Sequence, residues 1–326
     1  MGWRGNLRTV GRIIRSAERE SIRRQNFLVK QQAQYQKMQE LERAAYEVEE
    51  YENHIERMIS IHKDCISGFD WKAIVNTPEP IKPNQKHANE IIAQRNIDNY
   101  KPSFFDKLFH FDKRKIEQFK FKLESAVQAD KSAYQEELKQ YEIAATEVKE
   151  NIEIARNINE GNLDYYKKAV EELAPFSEIS GLGSELGIQF PSRDKVIANI
   201  QIHDEKVIPK KMKSLLKSGK LSEKDVPVGR YFELYQDHVC SAVIRVAREL
   251  FGLLPIEVVV VTAKGKLLNQ ANGKLEDCPV LSVLFIRDTM NGINFDLIDP
   301  SECLSNFKHN MNFKKTQGML AVKEIE

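Results

Sequence analysis

Apolar residues recur at steps of three and four along two long stretches that lack proline and almost lack glycine, which predicts two long helices. The first runs from Trp3 to about Ile66, with its only glycines, Gly5 and Gly11, near its start. From Leu41 its apolar positions read Leu41, Ala45, Val48, Glu52, Ile55, Ile59, His62, Ile66, the alternating four-three spacing of a coiled-coil seam with polar interruptions. A helix of ~60 residues would be about 90 Å long, more than a globular domain buries, so a partner helix is expected. The second stretch spans Asp112 to Glu160, with Ile116, Phe119, Leu123, Ala126, Tyr134, Leu138, Tyr141, Ala145, Val148, Ile152 and Ala155 in phase. Steps of four from Ala126 through Asp130 and Tyr134 to Leu138 shift its register like a stutter. Between the two, Gly68 and Pro78, Pro80 and Pro83 predict an extended connection, followed by a short helix that breaks at Lys101-Pro102. The expected arrangement is an antiparallel coiled-coil helical hairpin, stopped at Gly161-Asn162 before a short helix over Leu163–Leu173.

The period changes after Pro175. Val196, Ala198, Ile200 and Ile202 alternate with Lys195, Asn199 and Gln201, and the turn Pro191 to Asp194 predicts a hairpin. Lys210 to Lys224 reads as a lysine-rich linker or short helix. Arg230 to Phe251 is apolar almost all round, as a helix buried on most sides would be. The runs "PIEVVVVTA" (255–263) and "CPVLSVLFIR" (278–287) are continuous and rich in valine, the pattern of strands covered on both faces. Turn signals at Lys264-Gly265 and Asn272-Gly273 between them predict antiparallel pairing. Asp299-Pro300-Ser301 is positioned to cap a last helix over Glu302–Lys308. The fold expected is therefore α+β: a helical coiled-coil region over 1–174 with a basic N-terminal amphipathic helix, then a compact C-terminal α/β domain over 175–326 with a small, mainly antiparallel sheet.

Composition adds a local asymmetry. The 326-residue chain has a formal net charge of +1, which argues against a wholly basic nucleic-acid binder. Residues 1–30 nevertheless carry eight Lys or Arg against Glu18 and Glu20, so the rest of the chain is slightly acidic. Arg4, Arg8, Arg12, Arg15, Arg19 and Arg23 fall within about 100° of a helical circumference, nearly opposite Trp3, Leu7, Val10, Ile14 and Ala17. Such a face suits phosphate, an acidic protein patch or an anionic membrane surface, and arginine's forked guanidinium suits the first two best; a merely solvated face is the plain alternative. A second basic cluster, Lys308, His309, Lys314 and Lys315, interleaves with Phe307 and Phe313 and is a further candidate for nucleic-acid contact or a solvated strand edge.

Candidate chemistry is sparse. Glu233 and Asp237 stand one helical turn apart ahead of the valine-rich hairpin, an arrangement comparable with restriction-endonuclease-like folds, but the strand from Cys278 supplies no Glu-x-Lys pair to organise an attacking water. A metal-dependent nuclease is thus the weak enzymatic candidate. "GLGSELG" has the wrong spacing for a phosphate loop and reads as a flexible junction, and "LLKSGKLS" lacks a Walker frame. His62 with Cys65 finds no second ligand pair, and His238 with Cys240 lies in the buried helix, so no metal or cofactor is expected. Four cysteines without a CxxC, no apolar run of ~18 residues and no signal-peptide core point to the cytoplasm. The function expected is non-enzymatic interaction and assembly through the coiled coil and the α/β module, by a protein partner, self-association or both. The alternative is a nucleic-acid-binding component of a bacterial defence or DNA-processing complex, with membrane-surface binding third.

Overall fold

The computed structural model describes residues 40–65, 68–101, 111–173, 182–202, 207–269 and 272–326. The arginine row from Arg4 to Arg23 lies outside the described residues. The chain divides into two compact units: the described residues up to Trp71 together with Arg156–Glu326, and Lys72–Ala155.

In the first unit, a six-stranded mixed sheet has the order β1 (Leu182–Ser192), β2 (Lys195–Ile202), β5 (Val258–Asn269), β6 (Lys274–Ile286), β7 (Lys308–Lys314) and β8 (Gly318–Leu320). All neighbours are antiparallel except β2 and β5. The parallel pair requires a crossover, which a long helix, Val228–Leu253, spans. Val259, Val260 and Val261 are all buried, as a continuous apolar run demands of a strand covered on both faces. The chain end helps cover it: Ile325 N–H donates to Ser282 Oγ, 3.0 Å, and Ser282 pairs with Thr262 in the core. The hairpin turn before β6 uses Gly273 at φ +68°, as its Asn-Gly signal predicts.

The helices in chain order are α1 (Glu40–Ile59), α2 (Trp71–Val75), α3 (Ala88–Asp98), α4 (Phe111–Asn159), α5 (Leu163–Leu173), α6 (Val228–Leu253), α7 (Arg287–Asn291) and α8 (Pro300–Cys303). α4 stops where Gly161, at φ +81°, lets Asn162 N–H reach Asn157 C=O and Gly161 N–H reach Ile158 C=O, a Schellman closure. Asp299 caps α8 by accepting from Ser301 and Glu302 N–H, 2.9 and 3.0 Å. The helix it starts is shorter than Glu302–Lys308, because a 3₁₀ turn over Leu304–Asn306 hands the chain to β7.

Four expectations are corrected. Lys264-Gly265 is not a turn: β5 runs through it, opposite Pro279 and Cys278 of β6, with a register shift between Ala263 and Lys264. The segment 210–224 is neither linker nor helix: β3 (Lys211–Leu215) and β4 (Leu221–Asp225) form a two-stranded hairpin, turning at Gly219, φ +80°. "GLGSELG" is not a flexible junction from Leu182 onward but the start of β1. The first helix ends at Ile59 rather than Ile66, and a 3₁₀ turn over Ile61–Lys63 follows. The seam read from the sequence is covered only in part: Val48, Ile55 and Ile59 are half-buried, but Leu41 is 55 % exposed and Ala45 and Glu52 are exposed too. The stripe that lies against β3, β4 and α6 is Ala44, Val48, Tyr51, Ile55 and Met58. Lys213 Nζ reaches Glu47 Oε2 at 2.8 Å across that contact. Over these residues the helix partner implied by the heptad spacing is replaced by a hairpin and one helix.

The second unit is simpler. α4 forms its length, and the chain from Pro80 to Tyr100 runs back along one side of it. Pro80, Ile81 and Pro83 share a groove with Ala133, Tyr141 and Ala144, and Lys86 pairs with Glu137 at 3.1 Å. Tyr100 packs its ring 5.3 Å from that of Phe119. At the centre, Asp130 accepts from Glu90 N–H, 2.9 Å, and from Asn89 N–H and Nδ2, so a carboxylate of one helix caps the N-terminus of another. The Glu90 N–H is the main reason the Asp130 carboxyl is held below its ordinary range.

Candidate functional site

Three places in the molecule gather polar or exposed side chains in a way that invites a functional reading. The first is a polar stripe on α6. His238, Ser241, Arg245, Arg248 and Glu249 are spaced by three, four, three and one along that helix, so they share a side, and they meet the end of α1. A helix C-terminus leaves its last carbonyls without intrahelical donors. His238 Nδ1–H donates to Met58 C=O at 3.1 Å, Arg245 to Ile61 C=O at 3.4 Å and Arg248 to His62 C=O. Cations at a helix C-terminus also match its dipole.

His62 and Ser241 resemble a catalytic dyad, but their hydrogen bonds are accounted for within the fold. His62 N–H donates to Ser241 Oγ at 3.0 Å, the Ser241 hydroxyl donates to His62 Nδ1 at 2.8 Å, and His62 Nε2–H donates to Phe295 C=O at 3.1 Å. That chain requires the neutral Nε2–H tautomer, and burial lowers the His62 pKa accordingly. Both side chains are sealed from solvent, so the hydroxyl has no path to a substrate. Cys65, nearby, has its thiol pushed up to about 12, chiefly by burial and then by the Glu249 carboxylate, which makes it inert as a nucleophile or thiolate ligand. Glu249 is itself paired with Arg245 at 2.6 Å.

Beside this stripe opens a cleft of about 600 Å³, lined among others by Cys65, Arg248, Phe251, Arg287 and Phe295. Gly68 and Gly252 let two backbone segments cross there: Phe69 N–H donates to Gly252 C=O at 2.8 Å, and a Cβ on Gly68 would come within 3.3 Å of that oxygen. Its two guanidiniums have structural partners. Arg287 donates to the carbonyls of Ile256, Phe251 and Leu254 at the end of α6, at 2.6, 3.1 and 2.5 Å, and lies over Phe251. Arg248 stacks 4.1 Å above Phe295. The cleft therefore reads as a place where three segments are tied together.

The second place holds the residues singled out for nuclease chemistry. Glu233 forms an ion pair with Lys315 at 2.6 Å and faces Arg230 at 3.7 Å, and the Lys315 contact is the main cause of its lowered pKa. Asp237 is pushed up to about 6 by burial and by the neighbouring Asp299. Among the described residues no three His, Cys, Asp or Glu side chains gather closely enough to hold a metal ion. Of the second basic cluster, Lys315 is therefore neutralised by Glu233, while Lys314 is exposed at the end of β7. His309 Nδ1 bonds to Phe307 C=O at 3.0 Å.

The third place is the second unit. Between Lys113 and Val148 of α4, Asp130 is the single buried residue. The apolar seam read from the sequence, Phe119, Leu123, Ala126, Tyr134, Leu138, Tyr141, is half-covered by the Pro80–Tyr100 segment. At its start the seam is less covered, Ile116 being 41 % exposed, and on the other side of the helix Phe121 is 70 % exposed and Ile143 53 %. Sequence reasoning missed Phe121 and Ile143 as candidates, because on their side of the helix they are isolated among Ser, Gln and charged residues and give no periodic signal. No described helix is long and apolar enough to cross a membrane. No family model matches the chain, and neither a curated protein nor a solved structure matches it.

Proposed function

We propose that the chain is a non-enzymatic interaction and assembly protein, and that the second unit is its docking arm. The observation that supports this is the exposure of α4. It is a 49-residue helix, about 74 Å long, that keeps Phe121 and Ile143 in solvent while its seam is only half-covered. Helices of this length take most of their stability from packing of an apolar face, and a seam left half-covered offers that face to a partner, with Phe121 and Ile143 as additional apolar points of contact. The first unit, with its buried sheet and sealed polar stripe, is the α/β module of that reading. Binding of nucleic acid through Arg4, Arg8, Arg12, Arg15, Arg19 and Arg23, with Lys314, is the second reading, and no described contact favours it over the arm.

The test is a photo-activated cross-linking residue at position 121, with position 297 as control, in the full chain in its own cell. Leu297 is 83 % exposed but lies in the first unit. Protein adducts at 121 and none at 297 are expected. Equal labelling at both positions, or none at 121, counts against the arm.

A further inference from the structure

We propose that the arm's partner is a second copy of the chain, with the two α4 helices antiparallel about a two-fold axis at Ser132; the inference rests on reading the second unit as a docking arm. Arg114, Phe121, Ser132, Ile143 and Glu150 are spaced by seven, eleven, eleven and seven residues, a series that is the same read from either end. At 100° per residue all five fall within about 40° of arc, and the 36 residues from Arg114 to Glu150 make about ten full turns, so the stripe runs straight along the helix axis. Most of the groove lies away from it: Ala133, Glu137, Tyr141 and Ala144, which line the groove with Pro80 to Pro83, are about 100–180° around the helix from Ser132, while Gln140 at about 80° and Glu136 at about 40° form the groove's near edge. Arg114, Phe121, Ser132 and Ile143 are solvent-facing, and Glu150 is partly so.

A two-fold interface brings each surface element against its symmetry mate, so a self-pairing surface must be complementary to its own reversal. This stripe is. Antiparallel about Ser132, Arg114 of one copy faces Glu150 of the other and Phe121 faces Ile143, each contact occurring twice. On one flank Glu117 falls beside Lys149 of the second copy, while Glu124 falls between its Lys139 and its Glu142, so the opposite-sign match rests on Arg114 with Glu150 rather than on the flank. Near the axis Ser125, Gln128, Ala129 and Gln135 are small or uncharged, which lets the helices approach, and Glu136 is the charged residue nearest the axis on that face. A parallel pair would instead set Arg114 on Arg114 and Glu150 on Glu150. An unrelated partner gives no reason for the apolar and the charged positions to share one centre.

The experiment is sedimentation of the full chain from low to high micromolar concentration, with circular dichroism to show that every variant keeps its helix content. Wild type is expected to double in mass with concentration. Phe121→Ser with Ile143→Ser should shift the midpoint by at least about tenfold, and Arg114→Glu or Glu150→Arg alone by roughly fivefold. Arg114→Glu combined with Glu150→Arg should return to within about twofold of wild type, since antiparallel pairing then swaps both partners of each ion pair. A monomer at every concentration, or association that the combined charge swap fails to rescue, overturns the self-pairing. Cross-linking at position 121 separates that failure from failure of the arm itself: an adduct with a different polypeptide overturns self-pairing and keeps the arm, while a monomeric chain with no adduct overturns both.

Discussion

Replacing Asp237 by asparagine should stabilise the first unit at neutral pH and leave it unchanged in acid. Asp237 sits on α6 where burial and the Asp299 carboxylate raise its pKa to about 6, against the weaker opposing pull of Ser301 and Arg230; Glu233 adds a further small upward push. In the unfolded chain an aspartate titrates near ~3.9. The native state therefore holds this proton when the unfolded chain has released it. The contribution of the protonated form is fully present below about pH 4, declines as pH rises, and is lost above about pH 6. A shift of about two pH units corresponds to roughly 3 kcal/mol for a fully shielded group. Asp237 is only half-buried, so solvent screening brings the expected effect to about 1 kcal/mol. Asparagine keeps an acceptor for Ser301 and adds a donor toward Asp299. Urea unfolding of wild type and Asp237→Asn from pH 4 to pH 8 reads the difference directly. A gain of about 1 kcal/mol at pH 7.5 that shrinks to zero by pH 4 is expected. A loss at pH 7.5, or a difference that does not change with pH, would refute the reasoning.

Two further substitutions test packing claims. Gly161→Ala combines a positive φ with a Cβ placed 2.8 Å from Arg193 Cβ, whereas Gly273→Ala has the positive φ alone and nothing within 4 Å. Thermal unfolding should show Gly161→Ala losing more than the ~1 kcal/mol expected of Gly273→Ala, and equal losses would show that the Arg193 contact yields freely. Ser241→Ala removes the partner of both His62 N–H and His62 Nδ1 in a sealed site, so it should cost about 1–3 kcal/mol by urea unfolding; a neutral result would mean that the His62 chain of hydrogen bonds re-forms without the hydroxyl.

Much of the first unit was legible because its signals are local. The alternation from Val196 to Ile202, the apolar circumference of α6, the Asn272-Gly273 turn and the Asp299 cap each depend on a few adjacent residues. The β3–β4 hairpin was not legible: lysines and serines fill it, and its strands find their cover only when α1 lies against them. The heptad spacing of α1 specified a stripe only in part: Val48 and Ile55 belong to it, but a hairpin with α6 covers Ala44, Tyr51 and Met58 and leaves Leu41 and Ala45 exposed, a choice the spacing does not encode. The parallel pairing of β2 with β5 depends on where the crossover helix returns the chain, which no local pattern encodes. The polar stripe of α6 was hidden because His238, Ser241, Arg245 and Glu249 lie among apolar residues, and only their partners explain them: the Met58 carbonyl of α1, the 3₁₀ turn that follows it, and the pairing of Arg245 with Glu249. The palindrome about Ser132 leaves no trace in hydrophobic periodicity, since only two of its five members are apolar.

The most direct measurement of whether the second unit is a docking arm is the identity of what lies against Phe121 in the cell, read as the mass of the species cross-linked at position 121. An adduct there, with the Leu297 control clean, is the predicted result, and an adduct of twice the chain's own mass is the form that two antiparallel α4 helices produce. A chain that yields no adduct at 121 at its natural abundance contradicts the account.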